Sequence, residues 1–295
     1  MKTAIFDFLL NWGLPHSEST IKNRILGFIS EQRPLVAAML FPAVLACATL
    51  ALTRFPDLGD VAVILIVVYL AVACMHVLND LIDADRDRMK WPLRPLPTGL
   101  VSRGEAAIYA LAMGITSLIL AFYCFNWQLP LVIFLTLVLG SIYTAYTRDK
   151  VGYLTLIFIP ALAPIGVWVA FSAQTVFSWT PWLLFLFVAL HQIGHIVATE
   201  IHLSEARPLL IKPKWESMLY GFSVIAMFIV GIFLYFVAHL HWIYLAILAA
   251  CTAMALIAFI PFAKDPKSIN NVKNAQIVMV TGSIFVSVGL LLGAL

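Results

Sequence analysis

The sequence has few charged residues for its length. Lysine, arginine, aspartate and glutamate make up 11% of its 295 residues, whereas about 25% is usual in soluble globular proteins. Hydrophobic residues reach 62%, against roughly 45–50% in soluble proteins. So little polar surface cannot cover a water-soluble globule. This composition excludes a soluble enzyme and a disordered chain, and it predicts an integral membrane protein.

Cysteine is also scarce and forms no metal or disulfide pattern. The four cysteines lie apart within apolar segments, and no two are spaced as Cys-x-x-Cys. They are typical of buried free thiols, which excludes a disulfide-rich secreted domain and a zinc site built on cysteine. The formal net charge of +3 is too small to indicate a nucleic-acid partner.

Long apolar runs dominate the rest of the chain. A transmembrane helix needs about 20 apolar residues, and about nine segments meet this requirement. They are 34–53, 58–80, 104–124, 129–146, 152–174, 180–199, 217–238, 241–262 and 275–294. These runs predict an all-α polytopic membrane protein with a single membrane domain over 1–295 and an N-terminal arm at 1–33. In that arm, residues 21–29 mix basic and apolar side chains and predict an interfacial amphipathic helix.

The distribution of charge orients these spans. If they are threaded in order, every lysine and arginine except Arg54 falls on one side of the membrane. The positive-inside rule then places the N-terminus and the basic loops in the cytoplasm. All of the acidic residues except Asp57 and Asp60 lie on that side as well, which the rule does not require. This excess of carboxylates predicts a functional site at the cytoplasmic face.

The densest acidic cluster lies at the end of the second predicted span. Its members are Asn79, Asp80, Asp83 and Asp87. At about 100° per residue their side chains share one stripe, while Asp85 points to the opposite side. Like charges one turn apart repel each other, and a helix C-terminus disfavours anions. A divalent cation would neutralise the stripe, and oxygen ligands suit Mg²⁺ held partly by water and phosphate. The alternative is a solvated cluster balanced by neighbouring arginines.

A proline-rich segment, 94–102, follows the cluster and reads Arg-Pro-Leu-Pro-Thr-Gly-Leu-Val-Ser. Its prolines prevent a continuous helix and stiffen the backbone. Arg94 therefore has a fixed position from which it can bind phosphate oxygens through two hydrogen bonds. The alternative is a turn whose arginine contacts lipid headgroups.

These two segments resemble motifs of the UbiA superfamily of intramembrane prenyltransferases. Residues 79–87 are similar to its first aspartate-rich motif, Asn-Asp-x-x-Asp-x-x-x-Asp, and residues 94–102 to its Arg-Pro-Leu-Pro-x-Gly-x-x-Ser segment. The resemblance implies helices around a central lipid-accessible cavity, with Mg²⁺ holding a prenyl diphosphate. The metal ligands that it implies are Asn79, Asp80, Asp83 and Asp87.

The segment after the fourth span is similar to the tyrosine-to-lysine motif of the same family. Tyr143 and Lys150 are the counterparts of its two ends. The resemblance implies an aromatic ring or hydroxyl near the reacting carbon from Tyr143, with Tyr146 beside it, and cations for the diphosphate from Arg148 and Lys150. Aromatic and basic residues are also common at any membrane interface, which is the alternative.

The second aspartate-rich motif of the family is altered at the end of the sixth span. When the pattern is aligned on His195, Thr199 and Leu203 stand where aspartates belong. Glu200 and Glu205 are candidate metal ligands in their place, although they lie about 140° apart on an ideal helix.

Histidines form a second stripe in this region. His191, His195 and His202 lie within about 40° of one another on a helix. This pattern is typical of membrane histidines that form hydrogen bonds between helices, which is the interpretation we favour. The alternative is that the stripe binds a metal or a phosphate, with His195 in the substrate site. Lys212, beyond Pro208, is a further candidate for binding phosphate directly.

The sequence thus predicts a Mg²⁺-dependent prenyltransferase that ionises a prenyl diphosphate and transfers the isoprenoid to an aromatic or other lipophilic acceptor. The predicted catalytic residues are Asp83, Asp87, Arg94, Tyr143 and Lys150. Two alternatives remain open. One is a terpene cyclase of the same fold that needs no acceptor, and the other is a lipid-binding or transport protein on a degenerate scaffold.

Overall fold

The computed structural model describes residues 20–147, 154–203 and 213–295. All of the regular secondary structure within these ranges is helical, which confirms the all-α prediction. The helices are α1 Ile21–Glu31, α2 Pro34–Met39, α3 Phe41–Leu52, α4 Leu58–Lys90, α5 Pro95–Thr98, α6 Arg103–Cys124, α7 Gln128–Ile142, α8 Leu154–Ser172, α9 Trp179–Leu203, α10 Pro213–Val237, α11 Trp242–Lys264 and α12 Ile269–Ala294. A π-helical turn, Tyr143–Thr147, extends α7.

Eight helices in the described ranges are long and apolar enough to cross a membrane, namely α4, α6, α7 together with the π-helical turn that extends it, and α8 to α12. Many of their large apolar side chains are at least half exposed, among them Phe122, Phe158 and Phe233. Such a surface is stable when lipid rather than water covers it, and a continuous helix satisfies its own backbone polar groups there. The protein is therefore an integral, multi-pass membrane protein.

The first predicted span, 34–53, is not one continuous helix. The structure divides it into α2 and α3, with a turn at Leu40. Pro42 lies in the first turn of α3, where its missing N–H is not needed, but it would interrupt a helix that continued from α2. The described residues therefore contain eight long apolar helices and the shorter apolar helix Phe41–Leu52, rather than nine full-length spans.

The chain forms two compact units, and the first comes from the described parts of 1–41 and 57–150. Its centre is the 33-residue helix α4, which packs along α6. Ala73 and Ala110 are fully buried in the core of this unit, and such small residues let helices approach closely. The Ser117 hydroxyl of α6 donates to the carbonyl of Val67 on α4 at 2.9 Å. The unit thereby fixes the helix that carries the acidic cluster.

The second unit comes from the described parts of 42–56 and 151–295. Within it, α9 packs against α8, α10 and α12, and α11 packs against α10 and α12. Tyr220 and Phe262 are fully buried in its core, with their rings edge to face and their centroids 5.5 Å apart. This unit positions the histidines of α9. A single domain over 1–295 stays a prediction.

Helix α1 confirms the helix predicted in the N-terminal arm. Thr20 caps it by accepting a hydrogen bond from the backbone N–H of Asn23 at 3.2 Å. The helix packs against α4 and α5, and the ring of Phe28 meets that of Tyr109 edge to face at 5.0 Å between centroids. The end of α1 is thereby held beside the part of α4 that follows the apolar span.

The proline-rich segment forms one helical turn, α5, which fixes Arg94. Helix α4 ends before Pro92, which cannot continue it. Pro95 then begins α5, and Gly99 ends it with a φ of 74°, a left-handed conformation that favours glycine. Ser102 immediately caps α6 through a capping box. Arg94 therefore stands at the rigid junction between α4 and α5.

We expect Gly99→Val to lower the free energy of unfolding by about 1–2 kcal/mol, because a β-branched residue is strained in the left-handed region. Thermal unfolding of the purified protein in detergent measures the effect. Gly104→Ala is the matched control, since a Cβ at Gly104 meets open space within α6, and it should leave the midpoint unchanged or slightly higher. Equal losses in the two variants would contradict the requirement for glycine at position 99.

Candidate active site

Three carboxylates share one face at the end of α4. Asp80, Asp83 and Asp87 are 3%, 8% and 7% exposed. Asp85 lies on the other side, where its side chain is 71% exposed and forms an ion pair with Arg103. The stripe expected from helical spacing is therefore buried, while its intervening neighbour is solvated.

Arg94 joins two of the three carboxylates. Its Nη1 atom lies 2.6 Å from Oδ2 of Asp87 and 3.3 Å from Oδ1 of Asp80. The guanidinium carbon also lies 5.1 Å from the ring centroid of Trp91, a cation–π distance. Because Arg94 is itself buried, these contacts are shielded from water and hold the guanidinium against the stripe.

Two other arginines complete the pairing. Nη1 of Arg86 lies 3.5 Å from Oδ1 of Asp83, and Arg33 of the N-terminal arm pairs with Asp80. Arg33 has a φ of 49°, a left-handed backbone that is strained for a residue with a side chain. Arg33 was not among the site residues predicted from the sequence. The available signal was the polar run at 30–33 directly before the first apolar segment, because charges at such a boundary require partners.

The π-helical turn after α7 contacts α4 beside the carboxylates. The buried Thr144 hydroxyl donates to Oδ1 of Asn79 and lies 3.0 Å from the carbonyl oxygen of Gly140. Tyr143, in the same turn, is also buried. The contact from Thr144 orients the Asn79 side chain. The sequence motif drew attention to Tyr143 but carried no signal for Thr144, although π-helical turns are frequent at functional sites.

The predicted histidine stripe lies on α9, in the second unit. The rings of His191 and His195 are stacked, 6.3 Å apart and nearly parallel. Nε2 of His191 lies 3.2 Å from the backbone carbonyl oxygen of Met279 on α12, a cross-helix hydrogen bond of the kind favoured by the sequence. The remaining predicted site positions lie outside the described residues and stay predictions. They are the side chains of Tyr146, Glu200 and His202, and residues Arg148, Lys150, Glu205 and Lys212.

The predicted ligands on α4 fit Mg²⁺ by their chemistry. They offer carboxylate and amide oxygens without sulfur, which is the donor set that this ion prefers. In the described part of the chain, no three His, Cys, Asp or Glu side chains form a ready-made metal group; the carboxylates face arginines instead. Mg²⁺ often takes only one or two carboxylates and completes its shell with water and phosphate oxygens. The residues therefore suit Mg²⁺ that binds together with a phosphorylated ligand.

The chain belongs to the UbiA prenyltransferase family, whose sequence model matches residues 39–280. Residues of this chain are 31% identical over 141 positions to digeranylgeranylglyceryl phosphate synthase of Methanothermobacter thermautotrophicus, covering 46% of this chain and 48% of that protein. They are 30% identical over 127 positions to protoheme IX farnesyltransferase of Nitrosococcus oceani, covering 38% and 41%. The chain thus spans less than half the length of these two curated relatives.

Solved structures of the family share the fold. A structure described as that of digeranylgeranylglyceryl phosphate synthase in membranes aligns with a TM-score of 0.73 at 18% identity, covering 92% of this chain and 99% of that one. A UbiA homologue from Archaeoglobus fulgidus, bound to DMAPP and Mg²⁺, aligns with a TM-score of 0.66 at 18% identity, covering 91% and 99%. At these identities the likeness is one of fold.

We expect Arg94→Ala to destabilise the protein by about 3 kcal/mol, because Asp80 and Asp87 would stay buried with a partner removed. Chemical denaturation in detergent, followed by tryptophan fluorescence, measures the change. Arg103→Ala is the matched control, since it removes an arginine whose partner, Asp85, is exposed, and it should have little effect. If Arg103→Ala lowered the free energy of unfolding as much as Arg94→Ala, burial of the ion pair would not be the cause of the loss.

Proposed function

We propose that the protein is a Mg²⁺-dependent intramembrane prenyltransferase. In this reaction it ionises a prenyl diphosphate and transfers the isoprenoid to an aromatic or other lipophilic acceptor. The observation that carries the proposal is the buried stripe of Asp80, Asp83 and Asp87, held against arginines at the end of a membrane-spanning helix. The family of prenyltransferases to which the chain belongs, and the name of one relative, protoheme IX farnesyltransferase, support the same reaction class.

The roles of the residues follow from their charge and position. Asp80, Asp83 and Asp87, with Asn79, would hold Mg²⁺ with the diphosphate. When bound, Mg²⁺ would neutralise the negative charge that grows on the diphosphate as the allylic C–O bond breaks. Arg94 offers a planar guanidinium that can bind phosphate oxygens through two hydrogen bonds. Because Arg94 already bridges two carboxylates, ligand binding would require it to exchange some of those contacts for phosphate.

Residues of the segment 143–150 would complete the substrate site. Lys150 and Arg148 would add positive charge, and Tyr143 would present its ring or hydroxyl near the reacting carbon. The contact between Thr144 and Asn79 would keep the amide oriented towards the diphosphate. Apolar helices would shield the allylic cation from water.

Residues of the altered second motif, and Lys212 beyond it, would assist the main site on α4. His195 and Lys212 would contribute to the phosphate site, and Glu200 and Glu205 are proposed as further metal ligands. The distribution of lysine and arginine supports a cytoplasmic position for these loops.

We expect Asp83→Asn to reduce product formation by at least about 100-fold, because it removes a charge that would bind the cation, and losses of this order follow removal of a group that stabilises transition-state charge. Release of diphosphate from geranyl diphosphate, with a total membrane-lipid extract as the source of acceptor, measures the activity. Asp85→Asn is the matched control on the same helix, exposed and outside the stripe, and should retain full activity. Unchanged turnover in Asp83→Asn would remove this residue from the proposed site.

Removal of the metal gives an independent test. Treatment of the purified wild-type protein with EDTA should abolish diphosphate release, and addition of excess Mg²⁺ should restore it, because the leaving group would otherwise carry uncompensated charge. The same assay without EDTA but with added Ca²⁺ is a control for non-specific effects of divalent ions on the lipid. Full activity in EDTA would contradict a Mg²⁺-dependent reaction.

A further inference from the structure

Glu31, the last residue of α1, is a buried carboxyl group with no evident partner. It is 1% exposed, and neither of its carboxylate oxygens has a hydrogen-bond donor among the described residues. The three buried aspartates of α4, by contrast, are each paired with an arginine. A buried carboxylate without a donor is costly. Arg33 and Arg94 act on Glu31 through their charge but form no hydrogen bond with it, so a proton or a further cation would stabilise this carboxyl group.

The side chain of Glu31 lies beside the carboxyl group of Asp80, whose negative charge acts on it, and near the guanidinium groups of Arg33 and Arg94. Burial, followed by the negative charge of Asp80, raises the pKa of Glu31 well above its ordinary value. Two neighbouring carboxyl groups repel each other when both are ionised, and a shared proton or a shared metal cation would relieve this repulsion beyond what Arg33 and Arg94 already supply. Glu31 comes from α1 and Asp80 from α4, so the pair joins two separate elements.

The backbone around Glu31 is held firmly in place. Gln32 accepts a hydrogen bond from the Tyr69 hydroxyl at 2.5 Å and donates one to the Tyr109 hydroxyl. The next residue, Arg33, is fixed by its ion pair with Asp80. Contacts with two different membrane helices thus determine where Glu31 lies. A carboxylate held in this way is preorganised, which is what a metal ligand requires.

We propose that Glu31 is a further ligand of the divalent-cation site and forms, with Asp80, a carboxylate pair supplied by two helices. This inference rests on the proposed function. A pair is sufficient for Mg²⁺, which commonly uses one or two carboxylates and fills its remaining positions with water and phosphate oxygens. The pair therefore needs no third acidic side chain, in keeping with the lack of a three-residue metal group among the described positions.

Glu31→Gln separates the two ways in which the carboxyl pair can be stabilised. Glutamine is neutral and can donate to Asp80, so it imitates a protonated Glu31, but it lacks the negative charge that a cation ligand needs. Binding of Mn²⁺ to the purified full-length protein is measured from the loss of the free Mn²⁺ EPR signal, with an unreactive thiodiphosphate analogue of geranyl diphosphate present. We expect the dissociation constant for Mn²⁺ to rise by roughly tenfold or more in Glu31→Gln.

Two further variants keep the outcomes distinct. Asp85→Asn should bind Mn²⁺ as the wild type does, whereas Asp83→Asn should bind it weakly. Unchanged affinity in Glu31→Gln together with weak binding in Asp83→Asn would overturn the role of Glu31 and leave the proposed function intact. If the wild type bound no Mn²⁺, the proposed cation site and Glu31 would both be excluded.

A conservative variant covers the case in which Glu31→Gln does not fold. Glu31→Asp keeps the charge but retracts it by one methylene group. It should bind Mn²⁺ with an affinity between those of the wild type and Asp83→Asn. Wild-type affinity in Glu31→Asp would overturn the proposal, because a rigidly held ligand does not tolerate a carboxylate that is displaced by a bond length.

Discussion

Burial of three carboxylates at the end of an apolar helix is the constraint on which the first unit depends. An ionised carboxylate loses several kcal/mol of solvation energy when it leaves water, so it needs close partners. Asp80 and Asp87 share Arg94, and Asp80 has a second partner in Arg33. These arginines lie before and after α4 in the chain. The elements on both sides of this helix must therefore fold back onto its end.

Short rigid segments, rather than long helices, bring the arginines to the stripe. Pro95 and Gly99 limit α5 to a single turn, and Arg94 stands at its start. On the other side, Arg33 occupies a strained left-handed position between α1 and α2. Strain of this kind persists only where surrounding contacts enforce it, and Gln32, bonded to two tyrosines, supplies such contacts. The charge balance of the site is therefore built into the connections between helices.

Much of the fold was predictable because its signals are local. Apolar runs predicted the eight long helices of the described residues, and helical spacing predicted that Asp80, Asp83 and Asp87 share a face while Asp85 does not. The same reasoning did not predict that the first span is divided into two helices, because the run of apolar residues was counted without regard to Pro42. Hydropathy measures how much apolar surface a segment has, but it does not register a break in the hydrogen bonds of the backbone.

The partners of the predicted residues were not predictable in the same way. Arg33 pairs with an aspartate 47 positions away, and Thr144 orients an asparagine 65 positions away. No period in the sequence connects such residues, because the contact arises from which helices pack together. Arg94 was predicted in part. Its motif indicated that it binds phosphate, but not that it also forms ion pairs with Asp80 and Asp87.

The sequence by itself determined that the chain is a membrane protein of many helices, and that one helix ends in a narrow row of acids. Those properties follow from composition and from the 3.6-residue period of the helix, both of which depend only on residues close together in the chain. Only the tertiary structure decided which cations neutralise that row, and that Glu31 lies beside Asp80 without a donor. Electrostatic partners are set by distance in space, and helix packing brings together side chains that the chain keeps far apart.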